Sequence, residues 1–222
     1  MTSIRIGVWN AQGLAKNRTK QLALQYLERR NNPELVILTE TNIPAQHNCS
    51  LVEQYSKHYM ACHAANGRGT GVTLLIKKAS PVRLRNVFAP LPPNPGLGRK
   101  IYATIEVEGI QLRIAGIYVP SSDAKEKWLS ECLNNGLLDS EIMQLHSGAS
   151  DTDTKIDILC GDCNIDPHRD NRLFRLLDNI SLSYGLTHLT LGNPGPTFIN
   201  WATSSTIDHV WAHEDLTNRI IE

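Results

Sequence analysis

Six polar residues stand where apolar, strand-like segments run out: Asn10 after IRIGVW, Glu40 after LVILT, Tyr118 in IAGIYV, Asp162 and Asn164 after ILCG, and Asp208 in TIDHVWA. They comprise three carboxylates, two carboxamides and a phenol, side chains that can move protons and hold charge. Strand ends along one edge of a layered fold are where α/β proteins build sites. Taken singly, each has an ordinary account. An Asn after a strand forms a turn, an Asp before an Asn forms an Asx-turn, and a lone Glu sits on a solvated rim. Their order and their shared placement set them apart. Cys160-Gly-Asp-Cys163 offers another chemistry, because it has the C-x-x-C spacing of zinc and redox sites. No second ligand pair stands at comparable spacing, and Asp162 lies inside this one. The two thiols are therefore read as strand-end residues.

The elements that must position these residues follow from periodicity. Ile4 to Trp9 alternates around β-branched residues and predicts a strand ending at Asn10. Thr19 to Arg30 reads as an amphipathic helix, stopped by Asn31-Asn32-Pro33. Glu34 to Leu38 is then a short, almost wholly apolar strand leading into Thr39-Glu40. Gly71 to Lys77, Ile101 to Val107 and Gln111 to Val119 are further strands, the last two joined by a tight turn at Glu108-Gly109. Pro90 to Gly98 is a surface loop. Asp123 to Leu145 is helical, with a break expected at Asn134-Asn135-Gly136. Ile156 to Cys160 is a strand and Asn171 to Asp178 a short helix. Thr197 to Asn200 and Thr206 to Ala212 are the final strands. Two or three helices interleave with at least eight strands, which predicts two packed sheets flanked by helices.

Composition agrees with one α/β unit. The chain has 222 residues, 41% hydrophobic and 20% charged, which excludes disorder. No apolar run approaches the ~18 residues of a membrane span, so no membrane partner is expected. Lys+Arg and Asp+Glu balance at 22 each, so no dominating phosphate-binding surface shows in the net charge. Five cysteines without a secretory segment predict reduced thiols in a nuclear or cytoplasmic protein. The sequons at Asn17, Asn48 and Asn179 are accordingly read as unused.

The pieces VWNAQGL (8–14), LVILTETN (35–42), GTGVTLLIKK (69–78), IAGIYVPSSD (114–123), ILCGDCNIDP (158–167) and SSTIDHVW (204–211) stand in one order. That order resembles the exonuclease–endonuclease–phosphatase superfamily of DNase I and exonuclease III-type apurinic endonucleases. The resemblance is nearest to the endonuclease domains of non-LTR (LINE-type) retrotransposons, and it spans almost the whole chain. It implies a DNase I-like four-layer α/β/β/α sandwich of two mixed sheets, a single domain over residues 1–222. It also implies that the chain is the N-terminal part of a retroelement polyprotein, with a reverse transcriptase beyond it. The implied activity is Mg²⁺-dependent nicking of double-stranded DNA, with Mn²⁺ as a substitute ion. Glu40 matches the family's principal metal ligand, with Asn10 as the amide supporting metal and phosphate. Tyr118 would donate to a phosphate oxygen. Asp162 matches the residue that orients or deprotonates the attacking water, or helps protonate the leaving group. Asn164 would donate to the phosphate, and Asp208 matches the carboxylate that pairs with a catalytic histidine. Arg68, Lys77, Thr197 and Trp201 are the residues expected to touch DNA.

Two departures qualify the match. Gln12 stands where many apurinic endonucleases carry an acid. The family also closes with Ser-Asp-His about 20–30 residues beyond the Asp matching Asp208, and this sequence, ending at Glu222, contains no Ser-Asp-His. His209 adjoins Asp208, but a strand would turn it to the opposite face, and His213 falls in the following turn. The chain is accordingly expected to fold and to cleave poorly. Its last core strand is expected to be missing, leaving an open sheet edge prone to pairing with another chain; the complete domain is expected to be monomeric. Two alternatives stay open: a small-substrate phosphoesterase of the same superfamily, and a catalytically dead DNA-binding remnant. The carboxylates of Glu40, Asp162 and Asp208 are expected to share one mouth of the sandwich.

Overall fold

The computed structural model describes residues 4–13, 33–42, 59–64, 71–88, 98–121, 123–137, 155–189, 197–199 and 204–217, with backbone alone at 59–64, 88, 135, 198–199 and 217. The amphipathic helix expected at 19–30, Arg68 and Trp201 lie outside the described residues. The chain divides into two compact units. One comprises residues 1–118 with 160–162, the other residues 119–159 with 163–222.

The first unit holds a four-stranded sheet of β1 (Ile6–Asn10), β2 (Leu35–Thr39), β3 (Tyr59–Ala64) and β4 (Val72–Lys77), in the order β1-β2-β4-β3. β1 runs parallel to β2, while β4 is antiparallel to both β2 and β3, so the sheet is mixed. Leu35, Val36, Ile37 and Leu38 are all fully buried. That is why β2 reads as an unbroken apolar run rather than an alternation.

The unit's second sheet runs β5 (Arg83–Phe88), β6 (Lys100–Val107), β7 (Ile110–Tyr118), then the last three residues of β8 (Ile158–Asp162). The expected turn between β6 and β7 is present. Glu108 and Gly109 both take positive φ, 51° and 83°, as a two-residue turn matched to strand twist requires. The two sheets of this unit pack closely at Gly116. A Cβ there would lie 2.9 Å from Ile101 Cγ2 and 3.1 Å from Ile37 Cδ1. β8 is held just as tightly, since a Cβ on Gly161 would fall 1.9 Å from the Ile117 carbonyl oxygen. Glycine is required there for β7 and β8 to meet, and the next residue is Asp162.

In the second unit the order is β8, β12 (Asp208–His213), β9 (Leu186–His188). Helices α1 (Ala124–Asn135) and α2 (Asn171–Leu182) pack on each other, and a short α3 (Glu214–Thr217) follows β12. Gly136, at φ 84°, ends α1 where the break at Asn134-Asn135-Gly136 is expected; residues 138–145 of the expected helical region lie outside the described residues. α2 runs four residues beyond the expected helix. β10 (Phe198–Ile199) and β11 (Ser204–Ser205) form a separate antiparallel ribbon. β9 pairs antiparallel with β12, Trp211 to His188 through His213 to Leu186. No helix among the described residues is long and apolar enough to cross a membrane.

Candidate active site

The parallel pairing of β1 with β2 sets Asn10 opposite Thr39, so both strands deliver their polar residues at one edge of the first unit. Backbone bonds carry the register past the strands: Ala11 N–H donates to Thr39 O at 2.9 Å, and Gly13 N–H to Glu40 O at 2.7 Å. Glu40 sits at φ 49°, a left-handed conformation that few non-glycine residues adopt. Strain of that kind persists where the surroundings over-determine it, commonly at functional sites.

Two hydrogen bonds knit this edge together. The Asn10 amide donates through Nδ2 to Asp162 Oδ2 at 2.6 Å, while its Oδ1 accepts the Gln12 N–H at 2.9 Å. Asn10 is thus at once a turn former and the group that orients a buried carboxylate. The Tyr118 hydroxyl donates to Glu40 Oε1 at 2.6 Å. Tyr118 is almost wholly buried, and burial, reinforced by the Glu40 and Asp162 carboxylates, raises its pKa far above the ordinary tyrosine value. The phenol therefore stays protonated and acts as a donor.

Arg99, unremarkable in the sequence between a proline-rich stretch and β6, belongs to the same cluster. Its guanidinium carbon lies 4.9 Å from the Tyr118 ring centroid, and its carbonyl accepts the Tyr118 N–H at 2.8 Å. Arg99 Nη1 is buried with no hydrogen-bond partner among the described residues. A buried guanidinium N–H without a protein partner among the described residues is a group suited to meeting an anion.

The donors gathered around Glu40, Asn10 and Asp162 are oxygens. That set suits a hard divalent cation such as Mg²⁺, which takes one or two carboxylates and keeps several waters. Glu40 and the Asn10 amide oxygen are the residues that would hold it. No group of three or more His, Cys, Asp and Glu among the described residues forms a closed cage, and Mg²⁺ does not require one. Cys160 and Cys163 are buried free thiols, and burial pushes Cys160 up to about 12, which leaves it inert.

The second unit carries Asn164 and Asp208. Asn164 also takes a left-handed φ, 49°, and its Nδ2 donates to Val119 O at 2.9 Å. Cys163 N–H donates to Ile207 O at 2.8 Å, tying the segment before Asn164 to the start of β12. Asp208 Oδ1 is buried without a hydrogen-bond partner among the described residues. Burial pushes this carboxyl up to about 6, against an opposing hydrogen bond from Thr197.

His209 turns away from Asp208, as strand geometry expects. Its Nε2–H donates to Ile165 O at 2.9 Å, which leaves Nδ1 to accept from His188 Nε2 at 3.2 Å. It is a core histidine packed with Phe174, His188 and Trp211. His213 Nδ1 stands 3.1 Å from Asp215 Oδ2.

Of the residues expected at the site, Asn10, Glu40, Tyr118 and Asp162 converge within the first unit. Lys77 does not. It ends β4 beside Leu35 and Glu34, a strand length of roughly 16 Å from the Glu40 edge. Thr197 is exposed, but its Oγ1 accepts both the Ile207 and Asp208 N–H groups, at 3.0 and 3.1 Å. Its role among the described contacts is to hold the start of β12. Arg99 is what the sequence reading missed. An arginine before a strand has no periodic signature.

Strand ends of two face-packed sheets thus bring an amide, two carboxylates and a phenol together in the first unit. The chain belongs to the Endonuclease/Exonuclease/phosphatase family, which matches residues 7–221. Its fold is the DNase I-like sandwich of similar solved structures. A 3′-5′ exonuclease from Neisseria meningitidis shares 18% identity at a TM-score of 0.69, over 99% of this chain and 90% of that one. An AP endonuclease from Archaeoglobus fulgidus shares 16% identity at 0.68, over 99% and 90%. The human Nocturnin catalytic domain shares 20% at 0.65, over 95% and 82%. A search of the curated proteins finds no significant match.

Proposed function

We propose that this chain is a Mg²⁺-dependent endonuclease that hydrolyses a phosphodiester in double-stranded DNA. On this reading it is the nicking module of a non-LTR retroelement whose reverse transcriptase lies in the same polyprotein. The family membership supports ester hydrolysis at phosphorus. The IYVP strand around Tyr118 and Gln12 after Asn10, both similar to retroelement domains, support the retroelement reading. The observation that carries the site is the Tyr118–Glu40 hydrogen bond with Arg99 stacked on the same ring.

Hydrolysis of a phosphodiester needs an oriented water, positive or donor groups against charge on the equatorial oxygens, and support for the leaving oxygen. Bound at Glu40 and Asn10, Mg²⁺ supplies charge neutralisation. The protein's own residues do the rest. When substrate binds, the Tyr118 O–H would turn from Glu40 Oε1 to hydrogen-bond a phosphate oxygen, and Arg99 offers its buried Nη1–H. Asp162, oriented by Asn10, takes the proton of the attacking water and gives it to the leaving oxygen as the P–O bond breaks. Asn164, in the second unit, is the further donor to phosphate on this reading.

Supercoiled plasmid with Mg²⁺ tests this directly. The expected product is nicked circle, formed slowly because the chain lacks the Ser-Asp-His motif, abolished by chelator and further reduced in Glu40→Gln. Phosphate release from inositol polyphosphates without nicking would favour a small-substrate phosphoesterase. Plasmid binding without turnover would favour a DNA-binding remnant.

A further inference from the structure

Lys125 is an odd residue where it stands. It is the second residue of α1, in the first turn, where the helix dipole disfavours positive charge. Yet it is not splayed into solvent, because its side chain keeps only 14% of its exposure. Lysines are seldom buried to that degree without a specific partner.

The partners are specific. Lys125 Nζ donates to the main-chain carbonyl oxygen of Asn164 and lies 3.5 Å from Asp170 Oδ2. Asp170 precedes α2, and Lys125 therefore joins the starts of both helices to one carbonyl. That carbonyl belongs to the residue whose backbone is left-handed and whose amide is steered by Val119 O. An extended backbone at Asn164 would turn both the carbonyl and the side chain away from these partners. The ammonium and the Val119 carbonyl thus fix Asn164 from two sides.

We propose that Lys125, braced by Asp170, is a positioning residue that locks Asn164 in its left-handed conformation and so aims the Asn164 amide at the substrate phosphate. The proposal rests on the reading of the chain as a phosphodiesterase. Lys125 acts through Asn164 and does not itself touch substrate.

A double-mutant cycle tests this in the full chain, with plasmid nicking as the activity. Lys125→Met is expected to lower kcat about 10-fold with KM little changed, because alignment rather than binding is lost. In an Asn164→Ala background the same change is expected to cost less than about 2-fold. Lys125→Arg, which keeps a charged donor, is expected to recover part of the loss. An equal loss in both backgrounds, or no loss in either, overturns the proposal. A second readout is independent of turnover. The Asn164 side-chain amide resonances are expected to shift towards those of a free amide in Lys125→Met, and unchanged resonances overturn the proposal as well. Should the wild type cleave none of the substrates, the phosphodiesterase reading fails. The amide resonances still decide whether Lys125 holds Asn164.

Discussion

The Tyr118 hydroxyl and Glu40 Oε1, 2.6 Å apart, bring the end of a strand in one sheet of the first unit onto the residue that follows a strand of the other. Neither group would hold this position alone. Glu40 is kept in a strained backbone conformation, and Tyr118 is buried with a proton it cannot readily lose. A neutral donor against a carboxylate leaves the carboxylate its negative charge, which a cation at that point needs. The same donor can address a phosphate oxygen when substrate arrives.

Tyr118→Phe should therefore separate binding from chemistry. The ring that stacks on Arg99 is kept and only the hydroxyl is lost. Removing one such donor to developing charge costs about 10²–10³-fold in kcat, and KM should change little. Because the phenol is held above its ordinary pKa, wild-type activity should show no loss from Tyr118 ionisation up to pH 10. Steady-state kinetics on plasmid across pH 7 to 10 checks both.

Arg99 should matter by geometry as well as by charge. Arg99→Ala is expected to lower kcat/KM about 10- to 100-fold, the worth of one charge-assisted hydrogen bond. Arg99→Lys keeps the charge but loses the planar fork and the ring stacking, and should lie closer to the alanine variant than to wild type. A lysine variant as active as wild type would mean that a point charge suffices there.

Much of this was legible in the sequence, for identifiable reasons. Asn10, Glu40 and Asp162 announce themselves because a buried strand must end in a residue that can face water or a ligand, and such ends are abrupt. β5 was hidden by its irregular register between Leu84 and Asn86, which throws the two-residue alternation out of phase. β9 has three residues, too few to show a period. The position of Lys77 is hidden for a different reason: composition shows that a strand ends in a charge, but not which end of the sheet that is. Only the antiparallel pairing of β4 with β2 reveals it. Arg99 and Lys125 act across long sequence separations that no local pattern records.

Asp208 should make the fold less stable as pH rises. Its folded pKa, about 6, lies above the ordinary value of 3.8, so the folded state binds the proton more tightly than the unfolded chain. The resulting stability is fully present below pH 4 and is lost as pH climbs through 6. On the order of 2 kcal/mol is at stake. Asp208→Asn should remove this slope and be the more stable protein at pH 7 relative to its own value at pH 4. Urea unfolding at pH 4, 5, 6 and 7 for both proteins measures it.

The His188–His209 pair should work in the opposite direction. Burial lowers both pKa values, His188 to about 4, and each ring's charge would repel the other. His209 already spends Nε2–H on the Ile165 carbonyl, so protonation would put a second proton on Nδ1, facing the His188 N–H at 3.2 Å. Charges that bear on the pair are Asp178, which accepts the Trp211 indole N–H at 2.9 Å, and Asp166, both of which favour the protonated rings. Burial outweighs them. The folded state therefore prefers neutral rings, and the stability they give is complete above pH 6.5 and drains away as pH falls towards 4. Asp208 gains stability over part of the same range, so wild type alone should show a shallow net slope. His188→Phe in an Asp208→Asn background isolates the histidine contribution. That double variant should resist unfolding between pH 6.5 and 4 better than Asp208→Asn alone, followed by urea unfolding at each pH. Equal acid sensitivity in the two proteins would mean that His188 and His209 titrate normally, and that the hydrogen bond between them does not keep them neutral.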